Sequence, residues 1–213
     1  MRPRKPKLND AQQRWVRDWW RALQPRGEGD DALPGELWAM GRGERAQLRR
    51  CSDADELLGH AATLLLAGRL VALNSEKGPL PDDAISYERM AWVAGVLAGV
   101  KDDLRDDRSL AWHLGHGASN DRLAMSELRF RSMQRASSIQ ELFMHWRRAV
   151  QLARGKADVA RLADDLLSWQ IELGQSASQA SNGVKFHWAY DYYLSARDRA
   201  AAKEPEFNKE MSK

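Results

Sequence analysis

The chain has 213 residues, 43% hydrophobic and 30% charged, which is enough for a buried core and too apolar for a disordered chain. Its longest apolar stretches, Ala61–Ala67 and Ala91–Val100, fall far short of the roughly 18 residues that a membrane span requires. The lone cysteine, Cys51, excludes an internal disulfide and a Cys-rich metal site, and the basic N-terminus lacks the apolar run of a signal peptide, so a cytoplasmic chain is expected.

Charge is unevenly spread. The formal net charge is +3, yet residues 1–7 hold Arg2, Arg4, Lys5 and Lys7 with no acid, which leaves the rest slightly acidic. Residues 42–50 set four arginines against Glu44. Residues 125–161 set eight basic residues against Glu127, Glu141 and Asp158. Residues 82–107 reverse the balance, with seven acids against Arg89, Lys101 and Arg105.

In chain order, nearly every segment carries helical periodicity and none alternates like a strand. Residues 1–7, with two prolines, read as a mobile basic arm. Asn9 with Gln12 resembles a capping box for a helix whose Trp15, Trp19 and Leu23 share a face. A loop over 25–34 leads to a helix from Pro34 carrying Leu37, Trp38 and Met40, then a short helix over 44–50. One or two apolar helices follow over 53–74, a polar loop over 74–86, and helices over 86–101 and 110–114. The small, polar stretch 115–121 reads as a domain boundary.

Beyond it, Ser126 is placed to cap a helix reaching Ala136, and Ser138 with Glu141 to box one reaching Arg154. Asp158 caps a helix with Val159, Leu162, Leu166, Trp169 and Leu173 on one side. A linker over 175–183 precedes a last helix from Val184 to Ala201, whose Phe186, Trp188, Tyr190, Tyr192 and Tyr193 imply burial on most sides. The expected fold is all-α, two small helical bundles stacked end to end. Its parts are an arm at 1–7, an N-terminal helical domain at 8–118, a C-terminal bundle at 119–201 and a flexible tail at 202–213.

No enzyme motif stands out. His113 and His116 lack a third ligand at metal spacing, and Asp102, Asp103, Asp106 and Asp107 read as a solvated acidic helix end. Cys51 beside Arg49 and Arg50 has neighbours that favour a thiolate but no base in a known motif. Of the nine tryptophans, Trp15, Trp19, Trp146 and Trp169 fall on the apolar faces of their helices, which favours core packing over base stacking.

The arginines are more informative. Arg42, Arg45 and Arg49 fall on one face of a continuous helix, Arg131 and Arg135 are i, i+4, and Arg147 with Arg148 oppose an apolar face. Arg154, Lys156 and Arg161 gather around the Gly155 turn. Arg135, Arg147 and Arg148 have no acid three or four residues away and Arg131 only Glu127, where a merely solvated surface would usually provide a match. A guanidinium donates two parallel hydrogen bonds to phosphate and keeps its charge, so these faces read either as a sequence-independent phosphate track or as ordinary solvated helix.

Several stretches together resemble CasB, the small subunit of the type I-E CRISPR surveillance complex Cascade. They are Arg45-Ala46-Gln47-Leu48-Arg49-Arg50, Leu128-Arg129-Phe130-Arg131, Leu142 through Val150, Asp158 through Trp169, and Val184 through Tyr193. The set spans about residues 35–195 in order. The resemblance implies a non-catalytic, all-helical subunit without cofactor or metal, working beside other Cascade subunits as a head-to-tail pair of copies. It implies contacts with guide RNA and target DNA through the phosphate backbone that steady the R-loop. The candidate contacts are Arg42, Arg45, Arg49, Arg50, Arg129, Arg131, Arg135, Arg147, Arg148, Lys156, Arg161 and Lys185, with Arg161 also placed to pair with Asp164 and Asp165. The acidic 82–107 face is the expected docking surface for the neighbouring copy. The alternative is a purely structural adaptor whose arginines meet protein only.

Overall fold

The computed structural model describes residues 4–27, 32–116, 123–175, 180–195 and 197. Helix α1 spans Asp10–Ala22 and starts at a true capping box, Asn9 accepting from the Gln12 amide while Gln12 accepts from that of Asn9. Its buried face carries Trp15, Val16, Trp19 and Trp20, and the two later indoles donate to the carbonyls of Ala62 and Val100. Pro34 is followed by a single 3-10 turn, Gly35–Leu37, instead of the helix expected to Met40. There the Arg26 guanidinium takes the carbonyls of Leu37, Trp38 and Met40, which ends the turn.

Helices α2 (Arg42–Leu48), α3 (Ala54–Leu58) and α4 (Ala61–Ala72) lead to α5 (Ala84–Leu97), capped by Asp83. Every residue from Met90 to Leu97 is buried, so α5 is the central helix, with α3 and α4 packed on it. Next come β1 (Asp102–Asp103) and α6 (Leu110–His116), then α7 (Glu127–Arg135) and α8 (Ile139–Leu152). The chain continues through β2 (Lys156–Ala157), α9 (Val159–Leu173, capped by Asp158) and α10 over residues 184–195. Ser138 accepts from the Glu141 amide as expected, but Glu141 reaches back to the Ser137 amide, so the box is half-formed. Ser126 begins α7 without a side-chain cap. On α10, Trp188 and Tyr192 are buried while Phe186 and Tyr193 are each 41% exposed, so it buries one face and not most of its circumference.

Among the described residues the fold is all-α apart from one parallel pairing of β1 with β2, two residues each, a contact too short to show in the sequence. Helix α9 packs against both α1 and α5, and residues from both sides of the expected boundary share one buried cluster. Most of that boundary, the tail at 202–213 and the end of the last helix lie outside the described residues.

Residues 4–7 differ from the expected mobile arm. The Arg4 guanidinium reaches Asp164, Asp165 and Ser168 on α9, and the amides of Lys7 and Leu8 donate to Asp164. Asp102 and Asp103 form β1, and Asp106 and Asp107 lie in the loop that follows and not at a helix end, with Arg105 and Asp107 in left-handed backbone. Arg17 ties that turn to the start of α9 by pairing with Asp103 and Asp158, each at 2.9 Å. Asp102 pairs with Lys156, Asp106 with His113 and Asp107 with Arg161, so much of the expected acidic docking face is engaged within the molecule.

Candidate nucleic-acid interface

What holds each candidate cation decides what charge it can offer. One group is paired with carboxylates. Arg161, with a side chain only 16% exposed, meets Asp165 at 3.2 Å and Asp107 at 3.5 Å. Burial alone would ease its proton off, but those two carboxylates outweigh it and raise its pKa. Arg161 is therefore held between two carboxylates. Lys156 lies 3.6 Å from Asp102, and Arg131 bridges Tyr193 and Glu127 one turn back; both are exposed pairs of small energetic weight.

A second group is held by main-chain carbonyls. Arg45, half-buried, is engaged through all three of its nitrogens. Its Nε donates to Ala98, one terminal nitrogen to Val100 at 2.7 Å and the other to the Gln24 side chain at 2.8 Å. Arg147 donates to the carbonyls of Cys51, at 2.8 Å, and of Arg49, with its guanidinium 5.2 Å from the Phe143 ring centre. Carbonyls at helix ends satisfy guanidinium hydrogen bonds without cancelling the charge. Both groups are pushed below the ordinary arginine pKa, first by burial, with Arg49 repelling each.

A third group stands free. Arg42, Arg49, Arg50, Arg129 and Arg135 are exposed, Lys185 is half-buried, and none has a side-chain partner among the described residues. Arg148 makes only a 3.5 Å contact with Gln151.

Three of the expected cations meet in one place. A cleft of about 650 Å³ opens between the end of α2, the end of α5, α8 and the turn before β2. Arg49, Arg50 and Arg147 line it together with Lys101 and Arg154, and no carboxylate does. Ala46, Gly95, Val96 and Gly99 keep its wall small, and Gln151 adds a neutral polar group. The other candidates, Arg42, Arg45, Arg129, Arg131, Arg135, Arg148, Lys156, Arg161 and Lys185, are not among its lining residues.

Lys101 stands outside every expectation, and Arg154, read as part of the basic cluster at the Gly155 turn, outside the candidate contacts; local backbone explains how they arrive. After α8 the chain turns through Arg154 at φ 60° and Gly155 at φ 78°, with the Gly155 amide returning to the Val150 carbonyl at 2.8 Å. This is the left-handed helix ending that glycine permits. The Gly155 carbonyl accepts from the amides of Lys101 at 2.7 Å and Asp102 at 3.2 Å. A Cβ on Gly155 would meet Lys101 Cγ at 2.8 Å, so glycine lets the lysine stem lie against the turn. Arg-Gly at a helix end was the available signal for Arg154; Lys101 was masked by the acids around it.

The catalytic candidates resolve differently. His113 sits 3.2 Å from Asp106, and His116 stacks on Trp112 with ring centres 4.5 Å apart. No cluster of three metal-ligating side chains occurs among the described residues. Cys51 is buried, and burial followed by Glu56 pushes its thiol up, against the activation that its arginine neighbours suggested. No helix among the described residues is long and apolar enough to cross a membrane.

A family model described as CRISPR-associated protein Cse2 matches residues 44–193, more than two thirds of the chain. No curated protein and no solved structure matches.

Proposed function

The chain belongs to the Cse2 family, the small subunit of type I-E Cascade, and from that premise we propose that it holds nucleic-acid backbone within the complex and so steadies the R-loop. The observation that carries this reading is the cleft lined by five cations and no acid. Like charges from separate chain segments, set in one concavity, focus a positive potential that a phosphate chain neutralises. In RNA-guided recognition, base pairing supplies sequence, and protein contacts to backbone tip a nearly balanced exchange of strands. A small subunit therefore needs phosphate contacts and no base-reading element.

The same proposal makes the subunit non-catalytic and cytoplasmic. It sets the chain beside other Cascade subunits as a head-to-tail pair of copies, in contact with guide RNA, target strand and displaced strand. The exposed Arg42, Arg129, Arg135 and Arg148, none of them paired with a carboxylate among the described residues, add to the basic surface in this reading.

The test is a titration of the pure chain against labelled single-stranded DNA, duplex DNA and RNA over a series of salt concentrations. Binding that weakens linearly in log–log form, by about 0.7 to 0.9 per phosphate contacted, supports the reading. Absence of salt-dependent binding, with assembly into Cascade retained, favours the structural adaptor instead.

A further inference from the structure

We infer a division of labour within the cleft: Arg49, Arg50, Lys101 and Arg154 are its phosphate ligands, and Arg45 and Arg147 are positioning residues that hold those ligands in register. The inference rests on the nucleic-acid reading above.

A guanidinium grips phosphate best through two adjacent N–H groups on one edge. Arg45 has no such edge to spare, because Nε and both terminal nitrogens already donate to Ala98, Val100 and Gln24. Both terminal nitrogens of Arg147 donate to carbonyls too, which occupies the edge between them and leaves only its Nε edge. Arg49, Arg50, Lys101 and Arg154 are exposed, line the cleft and have no side-chain partner among the described residues.

The two engaged arginines grip the backbone at the ligands themselves. Arg147 holds the carbonyl of Arg49. Arg45 holds the carbonyl of Val100, the residue before Lys101, and the Lys101 amide is bonded to Gly155, the residue after Arg154. Each ligand on the two walls is thus fixed through its own main chain or that of a neighbour. The positioning residues keep their charge while doing so, because their acceptors are neutral.

The experiment is anisotropy of a fluorescein-labelled oligothymidylate titrated with the full chain across a salt series, at a temperature where circular dichroism shows every variant folded. Arg49→Ala, Lys101→Ala and Arg154→Ala are each expected to weaken binding about five- to tenfold and to lower the log–log salt slope by about 0.7. Arg49→Lys and Arg154→Lys recover most of the affinity and the slope, since a ligand acts through its charge. Arg45→Lys and Arg147→Lys weaken binding about as much as alanine does, since an ammonium cannot span two carbonyls. Lysine rescue at 45 and 147 as complete as at 49 would overturn the division. Unchanged affinity and slope in all three alanine variants, with the wild type binding, would overturn the cleft assignment and leave the nucleic-acid reading standing. A wild type that fails to bind at the lowest salt takes down both.

Discussion

The Arg147 guanidinium donates to the Cys51 carbonyl at 2.8 Å, joining residues 96 positions apart in the chain. With its second bond, to the Arg49 carbonyl, it fastens α8 to the segment that leaves α2. Arg147→Ala deletes both bonds and the contact over Phe143. It should cost about 1–2 kcal/mol, the scale of one or two charge-assisted hydrogen bonds partly replaced by water. Urea unfolding reads this as a lower midpoint at unchanged slope. An unmoved midpoint would remove Arg147 from the framework of the cleft.

A larger effect is expected at Arg4. Its side chain is 7% exposed and those of Asp164 and Asp165 are 1% exposed. Burial opposes its charge, yet the two carboxylates outweigh burial and raise its pKa. Arg4→Met would strand buried Asp164 without its cation and leave Asp165 with Arg161 alone, a change that typically costs about 3–5 kcal/mol. The loss should appear in urea unfolding, and deleting residues 1–7 should reproduce it. Equal stability of wild type and variant would mean that the N-terminal segment is not bound to α9 in solution.

Periodicity and caps were legible because they are local. Asn9 with Gln12, Asp158, and the faces built on Trp15, Trp19, Trp146 and Trp169 all emerge as read. The docking of Arg4 was not legible, since its acceptors lie 160 residues away and no short-range pattern encodes them. Among the arginines, spacing identified the basic faces but could not tell which side chains were already engaged. A carboxylate partner such as Asp165 for Arg161 can be guessed from i, i+4, whereas every residue carries a carbonyl, so those that hold Arg45 and Arg147 leave no mark in the sequence. Charge counting over long windows likewise hid Lys101, which the β1–β2 contact separates from its acidic neighbours and sets beside Gly155.

Gly115 tests the packing of α6 against α10. A Cβ there would fall well inside contact distance of the Tyr192 carbonyl and of Ser195 Oγ. Because the nearest obstacle is backbone, a rotamer change cannot relieve it, and the helices must separate. Gly115→Ala is predicted to cost about 1–3 kcal/mol despite the better helix propensity of alanine. Separation would also loosen the 2.7 Å bond from the Tyr192 hydroxyl to the Met125 carbonyl, which near-ultraviolet circular dichroism of the tyrosine region can follow. A stabilised variant would show that the two helices are farther apart than described.

Stability should fall on mild acidification, and two histidines set the sign. Burial lowers the His113 pKa below the ordinary imidazole value of 6.5, outweighing the opposing pull of Asp106. His187 is lowered as well, by burial first and then by the charge of Arg4. As pH drops through 6.5 the unfolded chain takes up these protons before the folded one does, so protonation favours unfolding. The stability that the neutral imidazoles contribute is therefore complete above pH 6.5 and lost progressively below it, down to their depressed folded values. Melting temperature measured against pH should show that decline, and replacing both residues by glutamine should flatten it. A double variant that follows the wild-type curve would show that these two imidazoles do not set the decline.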